Sequence, residues 1–220
     1  MYVQPFHQRA VAGTQTTVSW FQIGADGEPV DPGTVTATVT RADGTVVVTG
    51  ETTAGTGAGV RSFTLTAAQT VLLDQLSVAW ISSGVTLATT SVDVVAAPCF
   101  SNAELRTAEP SLNDAATYPP AKIAAARLQV EAFFERVTHR RYVPGYSYEM
   151  LPSSGQFDLV VNHPEVRRVR SAVIYQDPGA APVATLSAGE VAAIPPSPSG
   201  VVSRYLVPWF GRWVGIGYEH

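Results

Sequence analysis

Residues able to do catalytic chemistry are few in this chain, and they do not form a known catalytic pattern. The four histidines lie in turn contexts or near a terminus: His7, His139, His163 and His220. The sequence holds no G-x-S-x-G nucleophile turn, no H-E-x-x-H zinc helix and no phosphate-binding P-loop. We therefore predict that the protein is not an enzyme and that it needs no cofactor and no metal.

One pair of carboxylates and one cysteine are the remaining chemical candidates. Glu131 and Glu135 lie one helical turn apart and could act together, but a solvated helix face beside Arg127 and Arg136 is the favoured interpretation. Cys99 is the only cysteine. It excludes an intrachain disulfide and cysteine-based zinc sites, and is expected to be a small buried residue.

Basic charge is concentrated in two neighbouring segments. They contribute six arginines: Arg136, Arg140, Arg141, Arg167, Arg168 and Arg170. Such a group could face DNA phosphates, but the formal net charge of -4 argues against tight binding to nucleic acid. Ion pairs with other protein subunits are favoured, with Arg168 and Arg170 on one face of a strand.

An aromatic group near the end of the sequence leaves two interpretations open. Trp209, Phe210 and Trp213 are many aromatic residues for one hairpin. Aromatic residues are enriched at the centres of protein interfaces, but an ordinary core cluster explains them equally well.

The elements that must position these residues fall into two parts. The apolar fraction of 45% excludes global disorder, and no window of 18 apolar residues suggests a membrane span. In residues 1–97, β-branched residues alternate with polar ones, and Asp-Gly turns such as Asp43-Gly44 separate the runs. This pattern predicts an immunoglobulin-like β-sandwich with six or seven strands.

Residues 98–220 have a different character, which predicts an α+β domain and a mixed fold class for the whole chain. Helices are expected at about 102–109, after a Ser101/Glu104 capping box, and at about 120–138, followed by a β region at about 146–218. The longer helix is predicted to be amphipathic, and its apolar stripe consists of Ile123, Ala126, Val130, Phe133, Phe134 and Val137. We expect it to bury Phe133 and Val137 while its ends form subunit contacts. The Ala96-Ala97-Pro98 boundary predicts that the sandwich is dispensable for this domain.

The segment from Leu105 to Tyr175 resembles the head-to-tail connector or adaptor proteins of long-tailed bacteriophages. The resemblance depends on the order and spacing of a short helix, an acidic link, a long helix, an aromatic residue and a strand. The matching residues are Leu105-Arg106, Leu112-Asn113-Asp114, Ile123, Ala126, Val130-Glu131, Glu135-Arg136-Val137-Thr138, Arg140-Arg141-Tyr142 and the strand Val166 to Val173. The family often has Gly where His139 stands here, and relatives usually continue beyond an end like Gly217-Tyr218-Glu219, so this is either a short member or a fragment.

This resemblance implies a structural role in the virion, in the neck between capsid and tail, after assembly in the host cytoplasm. Proteins of this family form a ring of twelve subunits below the portal protein and join it to a stopper or tail-terminator protein. Double-stranded DNA passes transiently through the lumen, and no membrane is involved. The N-terminal sandwich is then an added immunoglobulin-like domain.

The candidate interface with other subunits or the portal combines the arginines with nearby aromatic residues. Its members are Phe134, Arg136, Arg140, Arg141, Tyr142, Arg168, Arg170, Trp209, Phe210 and Trp213. The alternative function is that of a monomeric carbohydrate-binding or surface-binding β-sandwich protein. That function needs exposed aromatic residues among the first 100 positions.

Overall fold

The structure is a computed structural model, and it describes residues 7–55, 59–138, 142–153, 155, 157–163, 165–203, 209 and 213–220. For His7 and Arg136 it describes the backbone only. The chain divides into two compact units, residues 1–144 and 145–220. This division differs from the boundary expected at residue 97, because the helical segment after the sandwich belongs to the first unit.

The first unit begins with a sandwich of two β-sheets. Its strands are β1 (His7–Val11), β2 (Thr16–Phe21), β3 (Thr36–Arg41), β4 (Val46–Thr52), β5 (Ala54–Gly55), β6 (Val60–Leu65), β7 (Asp74–Ser82) and β8 (Val85–Val95). One sheet has the strand order β1-β8-β7-β3-β4, and the other has the order β2-β6-β5. Strand β1 pairs with β8 in parallel, and the other pairings are antiparallel.

Alternating apolar residues from both sheets form the sandwich core. Trp20 of β2 and Trp80 of β7 stack across it with ring centroids 5.9 Å apart. The Trp80 indole N–H donates to Thr90 Oγ1 at 2.8 Å, so its polar atom is satisfied inside the core. Leu65, Val78 and Val92 belong to the same core.

Three helical segments follow the sandwich in the first unit. They are α1 (Asn102–Ala108), a 3₁₀ helix (Pro110–Asn113) and α2 (Pro120–Thr138). Helix α1 starts with the expected capping box, in which Ser101 and Glu104 each accept from the other's backbone N–H. Pro120 opens α2, where its missing N–H costs no hydrogen bond.

The described residues of the second unit form two further sheets and a short helix. Its elements are β9 (Tyr146–Pro152), β10 (Asp158–Val160), β11 (Arg168–Tyr175), β12 (Pro182–Thr185), α3 (Ala188–Ala192), β13 (Val201–Ser203) and β14 (Trp213–Glu219). Strands β12, β11, β14 and β9 form one antiparallel sheet, and β10 pairs with β13. Val169, Ala172, Ile174 and Ile216 belong to the core beneath it.

Two glycines allow tyrosine rings to lie across strand β14. A Cβ atom at Gly215 would fall on the Tyr148 hydroxyl, and one at Gly217 would fall on the Tyr146 hydroxyl. Glycine is therefore required by close side-chain approach at these two positions.

The prediction of a mixed fold built around a long amphipathic helix is wrong. Strands make up 45% of the structure and helices 17%, so the protein is mostly β. Helix α2 forms within the expected bounds. Most of its apolar stripe, however, is exposed to solvent. None of the helices in the described ranges is long and apolar enough to cross a membrane.

Candidate protein-interaction surface

Helix α2 turns most of its apolar side chains outward. Its exposed positions, here called the outer face, are Ala121, Lys122, Ala125, Ala126, Gln129, Val130, Phe133, Phe134 and Val137. The two phenylalanines are 56% and 53% exposed, and the two valines 60% and 59%. Of the apolar stripe, only Ile123 is buried, so the expectation that α2 buries Phe133 and Val137 is wrong.

The inner side of α2 is occupied by a polar cluster, defined as Arg9 of β1 with Glu131 and Glu135. The Arg9 guanidinium forms an ion pair with Glu135 through Nη2 and Oε2, and its Nη1 lies 4.0 Å from Glu131 Oε2. All three side chains are buried. The prediction of a solvated carboxylate face is therefore wrong.

Backbone groups complete the polar cluster. The Cys99 N–H donates to Glu131 Oε1 at 2.8 Å, and the Tyr142 N–H donates to Glu135 Oε1 at 2.9 Å. A second donor, the Val143 N–H, reaches the same Glu135 oxygen at 3.4 Å. A buried carboxylate needs a counter-charge and hydrogen-bond donors, and this cluster supplies both. The cluster thereby fixes which side of α2 faces the sandwich and leaves the apolar side outward.

The cluster also affects Cys99, which is exposed rather than buried as expected. Partial burial of its thiol raises the pKa above the usual range, and the negative charges of Glu131 and Glu135 raise it further. Arg9 partly opposes this effect. A raised pKa keeps the thiol protonated and poorly nucleophilic at neutral pH.

Two aromatic members of the predicted interface lie together beside the outer face. The rings of Phe134 and Tyr142 are 5.3 Å apart, and Tyr142 is itself 48% exposed. Arg140 and Arg141 lie outside the described residues, and the side chain of Arg136 is not described. Phe134 and Tyr142 of the predicted interface therefore lie in one exposed group.

The two strand arginines of the predicted interface lie in the second unit. Arg168 is exposed at the start of β11. Arg170 is half-buried, with its Nε 3.8 Å from Glu219 Oε1 and its guanidinium 4.6 Å from the centroid of the Tyr146 ring. The register of β11 against β14 shifts between Val169 and Ser171, so Arg170 lies in a bulge. The burial pattern still alternates from Arg168 to Arg170, with Val169 buried between them, and the irregularity follows at Ser171.

The late aromatic group does not form a surface as a whole. Trp209 is fully buried in the core of the second unit, and Trp213 at the start of β14 is half-buried. Phe210 lies outside the described residues. Of the two interpretations left open by the sequence, the core interpretation fits Trp209.

A Ser-His contact in the second unit was not anticipated from the sequence. Ser147 Oγ and His220 Nε2 lie 3.0 Å apart, and the His220 ring stacks on His163 with centroids 3.8 Å apart. Ser147 and His220 are both buried, so the serine oxygen is not accessible to a substrate. Across the described ranges, no three His, Cys, Asp or Glu side chains are placed to hold a metal ion.

The aromatic platform needed by a carbohydrate-binding sandwich is not present on the described surface of the sandwich. Trp20 and Trp80 are buried, and Phe21 and Phe63 are half-buried. Tyr2 and Phe6 lie outside the described residues. The outer face of α2, extended by Tyr142, is therefore the best-defined candidate surface of the first unit.

Comparison with known proteins adds little to this geometry. No family model matches the chain, and no curated protein matches it. A crystal structure of the ZIG-8 IG1 homodimer is similar over 43% of this chain and 82% of that chain, with 14% sequence identity and a TM-score of 0.29. This similarity is too low to support a conclusion about fold or function.

Proposed function

We propose that this chain is a structural assembly protein that acts as a head-to-tail adaptor in a long-tailed bacteriophage. In this role it forms a ring below the portal protein and contacts a stopper or tail protein. The observation that carries the proposal is the outer face of α2, an apolar surface on the same helix that carries the connector-like sequence pattern.

The size of the exposed apolar surface supports an assembly role. A covered aromatic side chain buries roughly 150–250 Å², so two half-exposed phenylalanines and two valines expose on the order of 400 Å². Patches of this size on a monomer are often functional, because exposed apolar area lowers solubility without benefit to folding.

The way in which α2 is held also supports this role. An apolar face could be turned inward by rotating the helix about half a turn on its axis if the inner side carried no specific contacts. Here the buried ion pair and the backbone hydrogen bonds to Glu131 and Glu135 oppose that rotation. The outward orientation of the apolar face requires the burial of three charged groups, which is unfavourable. Coverage of the face by another subunit would offset this cost.

The experiment is to measure native mass and symmetry of the purified chain, alone and mixed with a portal ring from a long-tailed phage. The proposal predicts a complex in which several copies of the chain join one portal, seen as added mass and a ring in electron micrographs. A chain that never associates with portal rings from such phages, under conditions where those portals bind their own adaptors, would contradict it.

Replacing Phe133 and Phe134 together with Ser should abolish the complex. The matched control is the replacement of Phe157, which is 49% exposed in the second unit, with Ser. The proposal expects the control to retain the complex, because Phe157 is not part of the outer face.

A further inference from the structure

We infer that free copies of this chain pair through α2, with the two helices antiparallel and their outer faces in contact. The occupant of the outer face is then a second copy of the same chain. This inference deepens the proposed function, on which it rests for the use of this face in assembly.

The distribution of side-chain size along α2 is the first argument. The N-terminal half of the outer face carries small residues, Ala121, Ala125 and Ala126. The C-terminal half carries Val130, Phe133, Phe134 and Val137. In an antiparallel pair the small half of each copy lies opposite the bulky half of the other, with the two-fold axis near Gln129. A parallel pair would place the phenylalanines against each other and the alanines against each other, leaving gaps.

Charge is the second argument. Among the described side chains of the outer face, Lys122 is the only charged one, and it lies at the N-terminal end. Antiparallel pairing keeps the two Lys122 side chains at opposite ends of the pair, whereas parallel pairing would place these like charges side by side. The remaining face is neutral, so it offers no complement to a nucleic acid or to a strongly charged protein.

The geometry of the exposed rows is the third argument. The positions 121, 125, 129, 133 and 137 form one row with a spacing of four residues, and 122, 126, 130 and 134 form another. Rows of this spacing pack against rows of three-residue spacing on a second helix, such as 126/129 and 130/133, with the axes about 20° from antiparallel. At that angle the two outer faces stay in contact along their length.

The surface area buried between the two outer faces indicates that the dimer is weak. With the alanines and Gln129 included, two outer faces bury roughly 1,000 Å² in total, at the lower limit for a specific interface. The pair is therefore reversible and depends on concentration. An isologous contact is complete with two copies, so ring formation must replace it.

Disulfide trapping tests the pairing in the full-length chain. In a Cys99→Ser background, Gln129→Cys places the new thiols near the two-fold axis, and Ala121→Cys places them at opposite ends of the pair. The inference predicts that Gln129→Cys forms a covalent dimer at least tenfold faster than Ala121→Cys. Equal rates for the two variants, as parallel pairing gives, would overturn it. The inference would also be overturned if Gln129→Cys formed the covalent dimer no faster than Thr45→Cys, a variant in an exposed turn.

A second variant keeps the test independent of cysteine chemistry. Ala125→Glu places a charge opposite the partner's phenylalanines, and should raise the dissociation constant of the pair at least tenfold in sedimentation equilibrium. Ala103→Glu, the same change on the exposed side of α1, is the control and should leave that constant unchanged. Equal constants for the two variants would overturn the inference.

The two proposals fail in different ways. A wild-type chain that is monomeric at all concentrations, yet joins a portal ring, contradicts the antiparallel pair and leaves the adaptor function standing. A chain that dimerises through Gln129→Cys but never joins a portal ring contradicts the adaptor function alone.

Discussion

The residues that decide the character of helix α2 are only two positions apart. Glu131 is buried and Phe133 is 56% exposed. The side chains of residues two positions apart on a helix point in directions that differ by about 200°. One of them must therefore face inward when the other faces outward. A helical stripe of apolar residues usually faces the core, and the sequence alone therefore predicted the opposite orientation. The deciding partner, Arg9, is 126 positions away from Glu135 in the sequence, which no local pattern reveals.

The exposure of Phe133 predicts a small effect on stability. Phe133→Ala should lower the free energy of unfolding by less than about 1 kcal/mol, compared with ~3–5 kcal/mol for a buried phenylalanine. Denaturant unfolding in dilute solution measures this. A loss above about 3 kcal/mol in the isolated chain would mean that the ring is buried within the subunit.

The charge of the polar cluster predicts a change at Cys99. Glu131→Gln removes one negative charge but keeps an oxygen that accepts the Cys99 N–H, so the pKa of the thiol should fall towards its usual range. A lower pKa gives a larger thiolate fraction at a fixed pH, and therefore faster alkylation between pH 7 and pH 9. The pH dependence of iodoacetamide labelling measures this directly.

The control for that labelling experiment is Glu51→Gln, an exposed change on β4. It should leave the labelling profile unchanged. An identical profile for Glu131→Gln and the wild-type chain would show that Glu131 does not act on the thiol.

At the scale of elements, the sequence predicted positions better than orientations. Alternation and Asp-Gly turns indicated where strands of the sandwich end, so that the expected turn at Asp43-Gly44 is found between β3 and β4. The Ser101 capping box and Pro120 fixed the starts of α1 and α2. These signals are local, and local signals determine where an element begins and ends.

Side-chain surroundings could not be predicted from sequence where they depend on distant partners. The side of α2 that faces inward depends on an ion pair with β1. The surroundings of Arg170 depend on Glu219 of β14 and Tyr146 of β9. The burial of Trp209 depends on a core assembled from several strands of the second unit. None of these contacts has a signature within one segment of sequence.

The link between β1 and α2 predicts that Arg9 is important for stability. Arg9→Met should lower the free energy of unfolding of the first unit by about 3–5 kcal/mol, because it leaves two buried carboxylates without a counter-charge. Adding Glu131→Gln and Glu135→Gln to that variant should restore part of the loss, since the amide oxygens still accept the backbone N–H groups. If the triple variant is no more stable than Arg9→Met, lost packing rather than charge is the cause.

At the scale of the whole molecule, the helical segment depends on the sandwich. Residues 1–144 form one compact unit, within which Arg9 contacts α2 and the Ala96 N–H donates to the Pro144 carbonyl. A chain that begins at Pro98 lacks β1 and Arg9. The sandwich is therefore not expected to be dispensable, contrary to the expectation from the composition boundary.

Hydrogen exchange tests this dependence. In a chain that begins at Pro98, the amides of α2 should lose protection, while those of β11 and β14 in the second unit should keep it. Equal protection of α2 in the shortened and full-length chains would show that the helix is stable without the sandwich.

The central claim is that another protein subunit covers the outer face of α2, and side-chain footprinting with hydroxyl radicals tests it most directly. The oxidation rates of Phe133 and Phe134 are measured in dilute chain and in the assembled complex of highest mass, with Phe157 as the reference ring. The claim predicts that oxidation of both α2 rings falls several-fold on assembly while that of Phe157 changes much less. Unchanged oxidation of Phe133 and Phe134 in a complex of confirmed mass would contradict it.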